Sequence, residues 1–218
     1  MLRAENIVKR YGSLVVLKSI DLTVEQGKVV SIVGASGAGK STLLHILGTL
    51  DQPDQGKVFL GEREHTKLKR SQLAEYRNRH VGFIFQFHNL LPEFTALENV
   101  CIPAYLANHT SDKEITMRGT ELLERLGLRD RLHHKPSEMS GGEQQRTAVA
   151  RALMNNPSVV FADEPSGNLD SRNAKELHKL FFRLREELNQ TFVIVTHNEE
   201  LANMADQKLE IKDGMIVV

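Results

Sequence analysis

The sequence predicts an α/β fold in which buried strands alternate with helices, with an antiparallel β part at the amino end and a helical part inserted over about residues 87–139. Three observations carry this. The apolar run Val29-Val30-Ser31-Ile32-Val33 passes through the glycine-rich stretch Gly34-Ala35-Ser36-Gly37-Ala38-Gly39-Lys40-Ser41 into Thr42–Leu47, a strand–loop–helix unit. Two more short apolar runs, Val159–Ala162 and Thr191–Thr196, have the length and branched content of buried strands. Capped stretches with helical character lie around them at 111–127 and 140–154, and a stretch with helical spacing follows a polar turn at 171–189.

The amino end, residues 1–26, reads as two strands joined near Tyr11-Gly12-Ser13, because Leu22 and Val24 alternate with polar residues. After the glycine loop, Asp51-Gln52-Pro53-Asp54-Gln55-Gly56 is dense in turn formers, and Lys57–Leu60 follows as a short strand. Residues 67–80 are helical in character, with Leu68, Leu73 and Tyr76 facing inward. The cations Lys67, Lys69, Arg70, Arg77 and Arg79 read as a solvated face rather than an anion site. Val81–Phe85 is a strand ending at Gln86. The stretch Phe87–Val100 is rich in large apolar residues but broken by Pro92, so it reads as neither a plain strand nor a plain helix. It is a core-packing loop or an exposed cleft for a partner. Ser111 and Glu114 have capping-box spacing and open a helix that Gly127 stops. Lys208–Ile211 and Met215–Val218 flank Asp213-Gly214, a hairpin signal.

Composition narrows the function. With 218 residues the chain is long enough for one large domain, and 40% apolar residues can fill its core. The net charge of zero argues against a basic nucleic-acid surface, so no nucleic acid is expected. A single cysteine, Cys101, excludes an internal disulfide and sits in an apolar run, where packing is its natural role. No apolar run approaches the roughly 20 residues that span a bilayer, and no charged-then-apolar signal opens the chain. Work at a membrane would need a partner to hold the chain there.

The glycine loop fits G-x-x-x-x-G-K-[ST]. Its glycines let backbone N–H groups turn inward as an anion nest at a helix start. Lys40 adds a full charge for the β- and γ-phosphates, and Ser41 offers a hydroxyl to Mg²⁺. Asp163, at the end of an apolar strand, is where such a loop needs a second Mg²⁺ support. Glu164, one residue on, is placed to orient or deprotonate a water. His197 ends another buried strand at the same sheet edge, within reach of a γ-phosphate. Ser140, with Gly141 and Gly142, reads as an N-cap whose glycines allow a phosphate close to a helix start. Tyr11, before a turn, is either an adenine-stacking aromatic or an ordinary edge tyrosine.

In this order, these motifs resemble the ATPase domain of ABC proteins, over essentially the whole chain. The resemblance implies a P-loop NTPase core of the RecA-like kind together with an N-terminal antiparallel β subdomain over about 1–86 and 140–218, with a helical subdomain at about 87–139, all one domain over 1–218. It implies that Tyr11 stacks on adenine and that Gly34, Ala35, Ser36, Gly37, Ala38, Gly39, Lys40, Ser41 and Thr42 form the Walker A loop. Gln86 is the Q-loop glutamine that touches Mg²⁺, alongside Ser41 and Asp163. Met139 to Glu143 matches the signature motif, so Ser140, Gly141, Gly142 and Glu143 meet a nucleotide held by a second copy. Asp163 is the Walker B aspartate, Glu164 the catalytic base, Ser166–Asp170 the D-loop and His197 the switch histidine. Two departures stand out: Met139 and Glu143 replace the usual leucine and glutamine of the signature, and Gly167-Asn168 replaces a single alanine in the D-loop. The second, with Glu143, resembles the branch of the LolD, MacB and FtsE families, and Gln86–Val100 is most similar to the lipoprotein-releasing one. The implied cofactors are ATP and Mg²⁺. The implied partners are a second copy of the chain and integral membrane permease subunits of the LolC and LolE kind, docking near residues 86–100. The implied place is the cytoplasmic face of the bacterial inner membrane. The alternatives are efflux, cell-division control, or a soluble ABC ATPase outside transport.

Overall fold

The computed structural model describes residues 1–217. In chain order its elements are β1 (Leu2–Tyr11), β2 (Leu14–Val24), β3 (Val29–Val33), α1 (Lys40–Leu47), β4 (Gln55–Leu60), β5 (Arg63–Glu64), α2 (Arg70–His80), β6 (Val81–Phe85), α3 (Ala96–Ala107), α4 (Asp112–Arg125), α5 (Gly141–Leu153), β7 (Val159–Asp163), α6 (Ser171–Leu188), β8 (Thr191–Val195), α7 (Glu199–Met204), β9 (Gln207–Lys212) and β10 (Met215–Ile216).

β1 and β2 turn back at Gly12-Ser13 and pair antiparallel, and β4 and β5 extend them to a four-stranded sheet of order β2-β1-β4-β5. β4 starts inside the expected turn run. Gly56 explains this: its φ is 99°, and a Cβ there would lie 2.5 Å from the Asn6 carbonyl oxygen, so only glycine lets the chain enter the sheet at this point. The second sheet has the order β10-β9-β3-β8-β7-β6, parallel from β9 to β6 with β10 antiparallel at the edge. β8 is buried at every position, and β3 and β7 at all but the last, which is why these strands read as continuous apolar runs rather than alternating ones.

Alternation decides which core each residue enters. Ala162, Phe192 and Ile194 face a core shared with α3 to α6, which includes Phe181. Phe161, Val193 and Val195 face a second core shared with α1 and the antiparallel sheet. The single cysteine, Cys101, packs in the first of these, as composition suggested. Among the described residues, no helix is long and apolar enough to cross a membrane.

The structure corrects the sequence reading at several places. The stretch 87–100 is irregular only as far as Phe94. Thr95 and Glu98 form a reciprocal capping box, and α3 begins there. The fully buried Asn99 ties the preceding loop to this helix: it accepts the Leu91 N–H at 2.8 Å and donates to the carbonyls of Leu91, Phe94 and Thr95 at 3.0–3.1 Å. α2 begins at Arg70, so Leu68 lies half-buried in the turn before it. β5 and α7 were not anticipated. The hairpin at Asp213-Gly214 forms, although its second strand covers only Met215–Ile216 and Val218 lies outside the described residues. Lys67, Lys69, Arg70 and Arg79 are exposed as expected, Lys67 pairing with Glu64 and Arg79 with Glu75, but Arg77 is half-buried and donates to the Thr49 carbonyl at 3.0 Å.

Candidate active site

The parallel register brings four strand ends into one row. Phe85 is opposite Asp163, and both Asp163 and Ile32 are opposite Val195. The segments that follow, Gly34–Gly39, Gln86, Glu164 and Thr196-His197, therefore open on the carboxyl edge of the sheet, where α/β folds place ligands.

The glycine loop is shaped by close approach. Gly34 has φ 145°, and a Cβ there would lie 2.2 Å from the Ile211 carbonyl oxygen. Gly39 has φ 104°, and a Cβ there would lie 2.8 Å from Leu17 Cδ2. Gly39 is also the N-cap of α1, and no side chain caps that helix, so its first amides are left for an anion. Lys40 Nζ crosses the loop and donates to the Gly34 and Ala35 carbonyls, each at 2.9 Å.

Ser41 reaches past β8 to β7, its Oγ donating to Asp163 Oδ1 at 3.1 Å. Burial pushes the Asp163 carboxyl above the usual carboxylate range, with the Ser41 hydroxyl pulling the other way, and His45 Nε2 lies 3.8 Å from Oδ2. A partly dehydrated carboxylate beside a hydroxyl fits a hard divalent cation. Among the described residues, no group of three His, Cys, Asp or Glu could hold a metal alone.

Glu164 has φ 47°, a left-handed conformation that costs a non-glycine residue about 1–2 kcal/mol. Its neighbours hold it there: its N–H donates to the Val195 carbonyl at 2.9 Å, and its carbonyl accepts the Gly167 N–H at 3.0 Å. Such strain aims a side chain. Glu164 Oε2 accepts the His197 backbone N–H at 3.2 Å and lies 2.8 Å from His197 Nδ1, while the imidazole remains 74% exposed. The two residues expected at one edge are thus in direct contact.

Gln86 is bonded to Asn168, in the segment between β7 and α6. Gln86 Nε2 donates to Asn168 Oδ1 at 3.0 Å, and Asn168 Nδ2 donates to the Gln86 carbonyl at 3.2 Å. Gly167 makes room for this, since a Cβ there would lie 2.8 Å from Gln86 Nε2. Tyr11 is half-exposed and donates its hydroxyl to Asp51 Oδ2 at 2.9 Å, with Lys9 Nζ 5.2 Å from the ring centroid. Burial and the neighbouring Asp51 hold the phenol above its ordinary value, while Lys9 and the Thr42 hydroxyl act the other way. Asp170 caps α6, accepting the Arg172 and Asn173 N–H groups at 3.0 and 2.9 Å.

Ser140 is the N-cap of α5, as its position suggested. Its Oγ accepts the Glu143 N–H at 3.3 Å and donates to Glu143 Oε2 at 3.0 Å, and its own N–H donates to that oxygen at 2.8 Å. The Ser140 N–H, helped by Arg131 at 2.9 Å, holds the Glu143 carboxyl below the usual range. Arg131 carried no sequence signal, because its partner is reached only through the fold. Ser140 and Gly141 are exposed, and among the described residues no hydrogen bond or ion pair joins 140–143 to the glycine loop.

A cleft of about 890 Å³ lies between α2, β6 and α3, lined among others by Arg77, Phe83, Phe85, Leu106 and Arg151. Arg151 donates to the His88 and Asn89 carbonyls at 2.7 and 2.6 Å and fixes the loop after Gln86. Phe87, Leu91 and Phe94 of that loop are exposed.

Comparison with known proteins agrees with this geometry. Residues 17–167 match the family model described as ABC transporter. The chain is 59% identical over 217 residues to a lipoprotein-releasing system ATP-binding protein LolD of Cytophaga hutchinsonii, covering 100% of this chain and 99% of that one. It is 57% identical to the LolD of Bacteroides fragilis, with both chains covered in full. Among solved structures, the ATP-binding cassette MJ0796, dimeric in a post-hydrolysis state with ADP and Pi, aligns at a TM-score of 0.90 and 38% identity. That alignment covers 100% of this chain and 97% of the other. The chain therefore belongs to the ABC transporter family, as an ATP-binding and ATP-hydrolysing subunit.

Proposed function

We propose that this chain powers lipoprotein release from a bacterial inner membrane, working as a head-to-tail pair that encloses two ATP molecules. The observation that carries the reading is the end-to-end similarity to LolD proteins, 59% and 57% identical. The contact of Glu164 with His197 beside the Ser41–Asp163 pair adds the chemistry.

In this reading residues 34–42 wrap the phosphates, Lys40 leaving its carbonyl partners for the β- and γ-oxygens, and Tyr11 lies against the adenine. Ser41 and Asp163, with Gln86, would hold Mg²⁺, which would supply charge neutralisation at the phosphates. Glu164 takes the proton of the attacking water, and His197, tied to Glu164, faces the γ-phosphate. Catalysis is mainly positioning and electrostatics. Ser140, Gly141 and Gly142 of one copy, with Glu143 and Asp170 shaping the surface around them, complete the glycine-loop site of the other. Hydrolysis removes the γ-phosphate bridge and lets the pair open. Residues 87–139 move as a helical subdomain against the core of 1–86 and 140–218. The cleft beside Gln86–Val100 receives a cytoplasmic helix of LolC- or LolE-like membrane subunits, which hold the chain at the inner face of the membrane.

The test is release of a lipid-anchored protein from proteoliposomes that contain this chain and its co-purified membrane partners. ATP-dependent release that Glu164→Gln abolishes is expected. Partner-stimulated hydrolysis without any release would contradict the cargo assignment.

A further inference from the structure

His80, Ser158 and Gln190 precede β6, β7 and β8, so they lie at the amino edge of the parallel sheet, opposite the nucleotide loops. A cavity of about 570 Å³ opens there, within the size range of small-molecule sites. Two guanidinium cations reach it, Arg63 from β5 and Arg118 from α4, beside the His80 imidazole of α2. No Asp or Glu lines it among the described residues. Leu60, Leu153 and Leu188 supply apolar wall.

These cations lack counter-charges. Arg118 is half-buried; its Nη2 donates to Asn156 Oδ1 at 2.6 Å, and its Nε is buried with no partner. Arg63 stacks over Tyr76, its guanidinium 5.2 Å from the ring centroid. Tyr76 is 4% exposed, and its hydroxyl also has no partner. Burial, Arg63 and Arg79 all push the His80 imidazole down, the mark of a positive surrounding. Burial likewise lowers Arg118, Arg125 adds to this, and only Glu121 on its own helix opposes. A guanidinium that loses water without gaining a counter-charge costs stability, and an oxyanion supplies that charge and an acceptor for the unpaired Nε–H. The planar fork of arginine fits phosphate and carboxylate alike.

We propose that this cavity binds a small organic oxyanion, a phosphate or carboxylate on an apolar body, held between Arg63 and Arg118. Its binding would join the antiparallel sheet to α4 across the back of the nucleotide-binding core.

The full chain, saturated with ADP so that the glycine loop is filled, is titrated with phenyl phosphate, benzoate and phenol. Calorimetry reads affinity, and side-chain NMR reads the Arg118 Nε–H. At least one of the two anions is expected to bind and to move the Arg118 resonance, with phenol weaker by about tenfold or more. Arg118→Gln or Arg63→Gln weakens the anion by a similar factor of about ten. ADP affinity reports that each variant is folded, and the exposed Arg63 carries the test if Arg118→Gln is not. Absence of binding by both anions, equal binding of phenol, or unchanged affinity in the folded variants would overturn the proposal.

Discussion

The starts of α1 and α5 are both exposed to incoming phosphate, yet they are built in opposite ways. α1 has glycine as its N-cap and no side-chain cap, and its nearest cation, Lys40, donates to loop carbonyls. α5 has a complete capping box, with Arg131 bracing Glu143 from outside. Their carboxylates differ in the same sense: burial raises Asp163 beside the first, while hydrogen bonds lower Glu143 in the second. An uncapped helix start with a dehydrated carboxylate asks for a charged ligand and a metal. A self-capped start is stable as it is and presents only a surface. In the proposed pair, the first helix start belongs to the half-site that the chain builds for itself, and the second is the half it would offer to another copy.

The largest effect expected from breaking the first half is in Glu164→Gln. Loss of a general base costs about 10²–10⁴ in turnover, with ATP binding retained. Phosphate release and nucleotide titration check both, and near-normal turnover would remove the proposed role. Ser140→Arg breaks the second half. Turnover falls about a hundredfold, while ATP affinity of the isolated chain stays unchanged. Mixing this variant with Lys40→Ala restores part of the activity, because one whole site then forms between the two. Lys40→Ala alone removes a charge-assisted contact worth about 1.5–3 kcal/mol, roughly ten- to a hundredfold in ATP affinity, read by equilibrium binding.

Asn168→Ala has a smaller effect. It removes the reciprocal bonds to Gln86, and turnover falls by a few fold with ATP affinity intact, as neutral hydrogen bonds of about 1 kcal/mol imply. The smallest effect is on stability. Glu143 is held below its unfolded value, so its contribution is present above that value, about pH 4.3, and is lost as pH falls through the lower folded value. Glu143→Gln therefore flattens the acid end of the melting profile. The box can persist with glutamine, so what is lost is the charge and its pairing with Arg131, about 1 kcal/mol or less and roughly 2–4 °C in Tm.

What the sequence made legible follows the range of each interaction. The strands at 29–33, 159–163 and 191–195 could be read because burial on both faces leaves a continuous apolar run. The caps at Ser111 and Ser140 could be read because their partners lie three residues away, whereas Asp170 read only as the end of a polar turn before its helix. The Thr95–Glu98 box carried the same signal, but Pro92 and the large apolar residues around it masked the start of α3. Gln86 and Asn168 are 82 residues apart, and Arg131 finds Glu143 only through the fold, so neither pair leaves a local pattern. The two residues of β5 are too few to show a period, and six-residue α7 rests on packing and on its Asn198 cap.

Sedimentation of Glu164→Gln with and without Mg²⁺ and ATP tests the shared site most directly. The account predicts one chain per particle without nucleotide or with ADP, two with ATP, and one again when Ser140→Arg is added to the same chain. A particle that stays single with ATP bound, from a protein whose parent hydrolyses ATP at a rate independent of its own concentration, would contradict it.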